Sequence, residues 1–432
     1  MNENGSSLRR IPGIDRFRGF VIFCMIVFQF AEKFPSLGVI ARLAKHAPAE
    51  DAVYLLPNLS LADLIAPAFI LAIGLTYVPS LQRRIERFGK KAAVLHFVRR
   101  YLILIGIGIT MNGVNDILDG HFEKPLDLMF IAVTALMLLS SLAGLALKLF
   151  RVKNRAKYYA YLSWLVAGAG VVGLAVAFVN AVMFVTGRTA GSFGHWLVLH
   201  HIGFAGLIAL PFALLQGRRG HWLRLVSGCA MLFLYALFHE GNLANDLFDS
   251  NRALIDEVAD GGFIGGFAFG AMLILYLFFA EEFRRRKHKY LPPLSFCVFT
   301  VLTAVLIAVE LHTLPAGTET WAGALSTFLP INKGSESPSY VIITGFISLL
   351  AFYCIDLFND FTPAFDPAAW WGKNPILLYC VEFAVIGGLN AALEDTFKTF
   401  AALPAAVTVT AVAVLLTVLA YLLHRKDIVV KL

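Results

Sequence analysis

Residues 10–30 of this chain read RIPGIDRFRGFVIFCMIVFQF, and residues 60–74 read SLADLIAPAFILAIG. Each stretch opens with charged residues and continues as an apolar run, and a loop containing Lys45-His46-Ala47 lies between them. Charged residues at the mouth of a membrane span are energetically expensive and usually have a function. Two such mouths around one loop histidine predict a reactive site at a membrane boundary.

The composition supports a membrane location for the chain as a whole. Hydrophobic residues make up 58% of the 432 residues, charged residues make up 15%, and the mean hydropathy is +0.73. A soluble domain has about 25% charged residues, so the composition predicts an integral membrane protein. The spans are expected to be helices, because the sequence lacks the alternating ten-residue segments of an outer-membrane barrel.

Apolar stretches of about 17–25 residues predict the individual spans. They indicate an all-α, polytopic membrane helix bundle with 11–12 transmembrane helices, formed by a single domain over residues 1–432. No internal repeat is evident, which argues against a transporter built from inverted repeats. The candidate spans cover residues 16–34, 61–81, 92–114, 126–148, 159–186, 197–216, 222–240, 259–281, 291–312, 339–358, 375–393 and 402–423.

The basic residues predict the orientation of the bundle. With the N-terminus in the cytoplasm, the cytoplasmic segments hold 26 of the 36 Lys and Arg residues. The positive-inside rule therefore places both termini in the cytoplasm, and the His46 loop falls on the extracytoplasmic side. The net charge of +7 follows from this topology and indicates the lipid bilayer, not nucleic acid, as the partner. Short loops and tails favour a bacterial inner membrane.

Three segments each contain a motif with polar or charged residues at defined positions. They are Arg-x4-Asp-x2-Arg-Gly at residues 10–19, the Lys-His-Ala loop at 45–47, and Asp-Leu-x2-Pro-x-Phe-x4-Gly at 63–74. Together with Gly-Lys-Asn-Pro-Ile-Leu-Leu-Tyr at 372–379, this pattern resembles the transmembrane acetyltransferases typified by heparan-α-glucosaminide N-acetyltransferase. The resemblance is strongest over residues 10–110.

The resemblance implies an activity. An acetyl group would pass from cytoplasmic acetyl-CoA, the co-substrate, to a hydroxyl or amine of a glycan or glycolipid at the extracytoplasmic face. The alternatives are a polytopic secondary transporter and a family member that binds acyl-CoA without turnover. The acceptor, the choice between N- and O-acetylation and the oligomeric state stay open, a homodimer included. The five cysteines lie in apolar spans without CxxC spacing, so no metal site is predicted.

The resemblance also implies three catalytic residues. His46 matches the catalytic loop histidine and would act as a general base or accept the acetyl group itself. Gln29 stands where the family often has Asn, and it could polarise the acetyl carbonyl or simply join two helices. Asp63 would orient His46 or cap the second helix. The loop after His46 is longer than in the family and lacks its Trp and Gly, which predicts a reshaped acceptor pocket.

The phosphate groups of acetyl-CoA require basic partners at the cytoplasmic face. The residues predicted to bind these phosphates could have structural roles instead. Asp15 could form an ion pair with Arg18 or Arg100, and Asn374 could cap the helix ahead of Pro375. Because about 30 Å of hydrocarbon separates the two faces, either the His46 loop dips into the membrane or the acetyl group is handed over within the bundle. The predicted donor-binding residues are Asp15, Arg16, Arg18, Arg100, Lys373 and Asn374.

Overall fold

A computed structural model of the chain shows a protein built mainly of α-helices. The described residues are 11–46, 54–56, 59–118, 131–137, 139, 155–185, 198–240, 262–286, 292–311, 331, 333–334, 336–358 and 366–428. The helices are α1 (Pro12–Ala31), α2 (Val39–Ala44), α3 (Ile65–Phe88), α4 (Lys90–Leu118), α5 (Arg155–Val185), α6 (Val198–Leu214), α7 (Gly217–Glu240), α8 (Gly262–Arg285), α9 (Leu294–Leu311), α10 (Pro338–Leu357), α11 (Pro367–Lys373), α12 (Pro375–Thr399) and α13 (Ala402–Arg425).

The helices coincide with the predicted spans, except at 126–148, which lies largely outside the described residues. Their length and apolar composition indicate a helical membrane protein. The number of 11–12 spans, the cytoplasmic termini and the bacterial inner membrane stay predictions. Among the described residues, six helices are long and apolar enough to cross a membrane, namely Ala62–Phe88, Lys90–Met111, Lys157–Val179, Gly262–Arg285, Pro338–Leu357 and Ala402–Arg425.

A small β-hairpin is the one described feature that departs from an all-α chain. Strand β1 (Tyr54–Leu56) pairs antiparallel with β2 (Leu59–Ser60), with Tyr54 opposite Ser60. A 3-10 turn, Ala62–Leu64, follows β2 and leads directly into α3. The hairpin therefore positions Ser60 and the 3-10 turn at the entrance to α3.

The chain divides into two compact units. The first contains Met1–Pro79, Leu275–Lys333 and Ser337–Lys431, and the second contains mainly Ser80–Ile274. Each unit has its own cluster of buried apolar residues. The prediction of a single domain over residues 1–432 stays a prediction.

In the first unit, the backbones of α1 and α11 are in direct contact. A Cβ added to Gly19 would overlap the carbonyl oxygen of Ala368, and one added to Gly372 would overlap the carbonyl oxygen of Asp15. Small residues of this kind allow membrane helices to approach closely. The buried side chains beside this contact form one apolar core, which consists of Ile22, Met25, Ile26, Phe30, Phe34, Trp370, Trp371, Leu378, Ile386, Phe397, Ala405, Val412, Leu416 and Ala420.

Two prolines at the start and in the middle of α3 leave backbone carbonyls without a helical partner, because proline has no N–H to donate to the residue four positions earlier. Pro79 removes the donor for Leu75, and Arg284 Nη2 donates to the Leu75 carbonyl oxygen at 3.1 Å instead. Pro67 likewise removes the donor for the carbonyl of Asp63. A buried polar group must find another partner, and the partner of the second carbonyl belongs to the candidate site.

In the second unit, α4 packs closely against α5. A Cβ on Gly106 would overlap the carbonyl oxygen of Val166, and one on Gly170 would overlap that of Leu102. Helix α3 is joined to α4 by the single residue Gly89, whose φ of +82° lies in the left-handed region that favours glycine. A single residue therefore links the two helices.

Candidate functional site

The candidate site contains His46, which follows the short helix α2, and Asp63, which lies in the 3-10 turn before α3. Helix α2 ends because Lys45 is extended, with φ −76° and ψ 144°. His46 Nδ1 lies 2.7 Å from Asp63 Oδ1. Asp63 is fully buried, whereas the His46 side chain is 46% exposed. The structure therefore brings together a buried carboxylate and a histidine that a substrate can reach.

Ser60 and Lys333 complete the surroundings of the carboxylate. The backbone N–H and the hydroxyl of Ser60 both donate to Asp63 Oδ2, at 2.8 and 2.9 Å. Lys333 adds a favourable electrostatic interaction. A buried ionised carboxylate is costly unless it is paired and hydrogen-bonded, and these contacts meet that requirement. Asp63 thus accepts from Ser60, three residues before it, and its role as a cap for the amide groups of α3 stays a prediction.

Tyr340 holds the backbone of Asp63. Its hydroxyl donates to the Asp63 carbonyl oxygen at 2.7 Å, which is the carbonyl that Pro67 leaves without a helical donor. Tyr340 is fully buried in the first turn of α10, where the Ser337 hydroxyl accepts from the Tyr340 N–H at 3.3 Å. The capped end of α10 therefore fixes the position of the residue that orients His46.

This arrangement defines the hydrogen position on the imidazole. An ionised carboxylate only accepts hydrogen bonds, so His46 Nδ1 carries the hydrogen and donates to Asp63. The lone pair then lies on Nε2, for which the described residues provide no hydrogen-bond partner. A neutral imidazole with a lone pair on an accessible nitrogen can remove a proton from a hydroxyl or amine, or attack a carbonyl itself.

Gln29, the third predicted catalytic residue, contacts a buried glutamate on another helix. With its amide oriented to satisfy both groups, the Gln29 nitrogen donates to Glu382 Oε1 at 2.6 Å and to Oε2 at 3.3 Å. Glu382 is 2% exposed and lies on α12. This contact is the interhelical hydrogen bond that the sequence allowed as an alternative. A role of Gln29 in polarising an acetyl carbonyl stays a prediction.

Three of the predicted donor-binding residues lie at the start of α1, where they contact other groups of the protein. Arg16 Nε pairs with Asp366 Oδ2 at 2.6 Å. Arg18 Nη1 donates to the Gly372 carbonyl oxygen at 3.2 Å and lies 3.8 Å from Asp15 Oδ1. The Asp15–Arg18 ion pair that the sequence allowed is therefore present, but it lies within α1 and joins no second helix.

Lys373 and Asn374, from the late sequence pattern, lie beside the end of α13. Lys373 Nζ is 3.9 Å from Asp427 Oδ1, whose side chain is 90% exposed. Asn374 occupies the N-cap position of α12, but its side chain makes no capping hydrogen bond. Its Nδ2 instead donates to the Ile428 carbonyl oxygen at 2.8 Å. The prediction that the Asn374 side chain caps α12 is therefore wrong.

Arg100, the last predicted donor-binding residue, lies in the second unit. Its guanidinium carbon is 5.9 Å from the centre of the Tyr101 ring. The structure thus assigns the predicted donor set to both units, with Asp15, Arg16, Arg18, Lys373 and Asn374 in the first. In the part of the chain that the structure describes, no group of three or more His, Cys, Asp or Glu residues could hold a metal ion.

Three residues of the site were not predicted from the sequence, namely Ser60, Lys333 and Tyr340. Ser60 has a local signal, because a serine three residues before an aspartate can donate to its carboxylate. Tyr340 has only an indirect one. The spacing of Asp63 and Pro67 indicates a carbonyl that needs a donor, but nothing in the sequence identifies a residue 277 positions away.

The chain was also compared with known protein families and with curated proteins. No family model matches it, and no curated protein matches it. The resemblance to transmembrane acetyltransferases therefore depends on the quoted sequence pattern alone.

Proposed function

We propose that this protein is a membrane acyltransferase that moves an acetyl group from cytoplasmic acetyl-CoA to a hydroxyl or amine of a glycan or glycolipid at the extracytoplasmic face. The observation that supports this most is the His46–Asp63 hydrogen bond at 2.7 Å, with Asp63 fully buried. A solvated loop histidine without a function would not require a carboxylate that is desolvated and held by Ser60 and Tyr340.

In the proposed reaction, His46 Nε2 removes the proton from the acceptor as its oxygen or nitrogen attacks the thioester carbonyl. The new C–O or C–N bond forms and the C–S bond breaks. The proton then passes from the imidazolium to the CoA thiolate, so that free CoA leaves as the thiol. Asp63 stabilises the imidazolium that forms in between, which is the role of the third residue in a catalytic triad.

A second route is compatible with the same two residues. His46 Nε2 could attack the thioester first, giving an acetyl-imidazole and free CoA, and the acceptor would then attack that intermediate. Asp63 would again orient the ring. The two routes differ in whether CoA is released before the acceptor binds, which is visible as ping-pong kinetics.

The proposal is tested by measuring the release of free CoA thiol from acetyl-CoA by the purified protein in lipid vesicles, with a glycolipid extract as the acceptor. We expect release that depends on the acceptor, and a loss of at least ~10²-fold in His46→Ala, the usual scale for a general base. Binding of acetyl-CoA should be nearly unchanged. Activity of the variant within a few-fold of the parent would remove His46 from the reaction.

A secondary transporter is the second candidate, and the Gln29–Glu382 contact favours it. An ionisable residue buried within membrane helices often belongs to an ion or proton pathway, and Glu382 is 2% exposed. A transporter predicts no cleavage of acetyl-CoA by the purified protein. In that case the His46 variant should behave like the parent, while Glu382→Gln should change substrate uptake into vesicles.

A further inference from the structure

Four cationic or titratable side chains interact electrostatically on α3 and α4, within the second unit. Arg84 interacts electrostatically with Arg99 and Arg100, and His96 interacts with all three arginines. We call Arg84, His96, Arg99 and Arg100 the arginine cluster. Like charges at such short range repel each other, so the cluster is unfavourable unless a negative charge lies nearby.

Among the described residues, no acidic side chain forms an ion pair with Arg84, Arg99 or Arg100. The Nε atoms of Arg99 and Arg100 are buried, and neither has a hydrogen-bond partner among the described residues. Arginines of the first unit behave differently, because Arg16 is paired with Asp366.

Two arginines of the cluster lie near aromatic rings. The Arg99 guanidinium lies over Trp164 at 5.6 Å, and that of Arg100 lies near Tyr101 at 5.9 Å. A cation–π contact uses the face of the guanidinium, whereas its N–H edge is the part that matches two oxygens of a phosphate. The aromatic rings can therefore hold the arginines in place without replacing an anion.

The position of the cluster is suited to a ligand from the cytoplasmic side. Gly89 links α3 to α4. Arg99 lies about 14 Å along the axis of α4 from its first residue, at 1.5 Å per residue. In the predicted orientation, this link lies at the cytoplasmic face. Charged residues at this depth in a membrane helix are costly and are usually functional, which favours a bound anion over a purely topological role.

We propose that Arg84, Arg99 and Arg100, with His96 beside them, form a binding site for phosphate groups. Two sources of phosphate reach this face of a membrane protein, namely the nucleotide part of a soluble ligand such as acetyl-CoA and the headgroup of an anionic phospholipid. The choice of acetyl-CoA as one probe rests on the proposed function. The site itself depends on the three arginines, which form no ion pair with a described residue.

The test compares Arg84→Gln, Arg99→Gln and Arg100→Gln with the control Arg87→Gln. Arg87 is exposed and lies at the end of the same helix as Arg84, so its replacement removes the same charge outside the cluster. The first measurement is the affinity for radiolabelled acetyl-CoA, with 3′-dephospho-CoA as a competitor. The second is the number of phosphatidylglycerol molecules retained from mixed phosphatidylglycerol and phosphatidylcholine micelles, counted by native mass spectrometry.

We expect each cluster variant to weaken the binding of one of the two ligands at least ~10-fold, as for the loss of a charge-assisted contact. The control should change that binding by less than ~2-fold. Weaker binding of acetyl-CoA identifies the nucleotide as the ligand, and weaker binding of phosphatidylglycerol identifies the lipid. Where a Gln variant does not fold, Arg→Lys at the same position replaces it and should still lower affinity, because Lys lacks the planar fork.

Two results would overturn the site: both ligands bind all variants as they bind the parent, or Arg87→Gln weakens them as much as the cluster variants do. The second result would show a general effect of charge. Failure of the proposed function is a separate outcome, because a protein that binds acetyl-CoA through the cluster but never releases CoA thiol keeps the site and loses the acetyltransferase activity.

Discussion

Replacing Asp63 by asparagine isolates the role of the carboxylate, because the two side chains have nearly the same shape. Asp63 Oδ2 accepts two hydrogen bonds from Ser60, at 2.8 and 2.9 Å, and Oδ1 accepts one from His46 at 2.7 Å. An asparagine must place its oxygen towards one of these neighbours and its NH₂ group towards the other. The Ser60 N–H can only donate, so the oxygen is expected to face Ser60.

The NH₂ group of the variant then faces His46 Nδ1 and favours the tautomer whose lone pair is on Nδ1. Nε2 carries the hydrogen in that tautomer and cannot act as a base. Compared with the parent, the active tautomer in the variant lacks the hydrogen bond to the charged carboxylate, about 1.5–3 kcal/mol, and leaves a buried donor unsatisfied, about 1–3 kcal/mol. The combined cost is about 2.5–6 kcal/mol, or about 10²- to 10⁴-fold in rate at 1.4 kcal/mol per factor of ten.

The assay is the release of CoA thiol with the glycolipid acceptor, measured together with acetyl-CoA affinity and thermal stability. We expect kcat to fall by about 10²- to 10⁴-fold while the affinity stays within a few-fold, since no part of the donor contacts Asp63 in the proposed reaction. A variant that keeps a kcat within about fivefold of the parent would refute the reasoning. Asp63→Glu is not a suitable control, because a longer side chain does not fit a fully buried position.

The remaining predictions separate catalytic, structural and donor-binding roles. Tyr340→Phe leaves a buried carbonyl without a donor, so stability should fall by about 1–3 kcal/mol and kcat should fall while KM is unchanged; an unaltered kcat would limit Tyr340 to a structural role. Gln29→Leu should lower the melting temperature as much as Glu382→Gln does if the contact only joins helices, whereas a selective loss of kcat in Gln29→Leu would support the oxyanion role. Arg18→Ala should weaken acetyl-CoA binding, by a factor that shrinks at high salt because exposed charges are screened; unchanged affinity with lower stability would identify Arg18 as a packing residue.

Hydropathy predicted the positions of the helices well but not their ends. The first predicted span begins at residue 16, whereas α1 begins at Pro12, because proline is favoured in the first turn of a helix and charged residues do not end it. The second predicted span ends at residue 81, whereas α3 continues to Phe88. Hydropathy detects the apolar part of a helix, and a helix that extends beyond the membrane carries polar residues there.

The candidate site could be predicted only in part, because some residues that contact each other lie far apart in the sequence. The spacing around His46 and Asp63 indicated a site, and the two residues lie 17 positions apart, joined by the hairpin. Arg16 and Asp366 are 350 positions apart, and no local pattern identifies such a partner. The same limit applies to Arg84, which a reading of the sequence assigns to the positive-inside signal although the structure groups it with Arg99 and Arg100.

Charged residues that stabilise the fold have an oppositely charged partner in the protein, and this distinguishes them from the residues proposed to bind a ligand. At the start of α1, Arg16 is neutralised by Asp366, whose other oxygen accepts from the Ala369 N–H at 3.1 Å and so caps α11. Removing either partner there leaves a partly buried charge uncompensated, so the expected loss is in stability. The arginine cluster has no such partner among the described residues, and removing one of its charges relieves repulsion. A cluster variant that binds phosphate more weakly should therefore be as stable as the parent or more stable, whereas Asp366→Asn should be less stable, and thermal unfolding without ligand measures that difference directly.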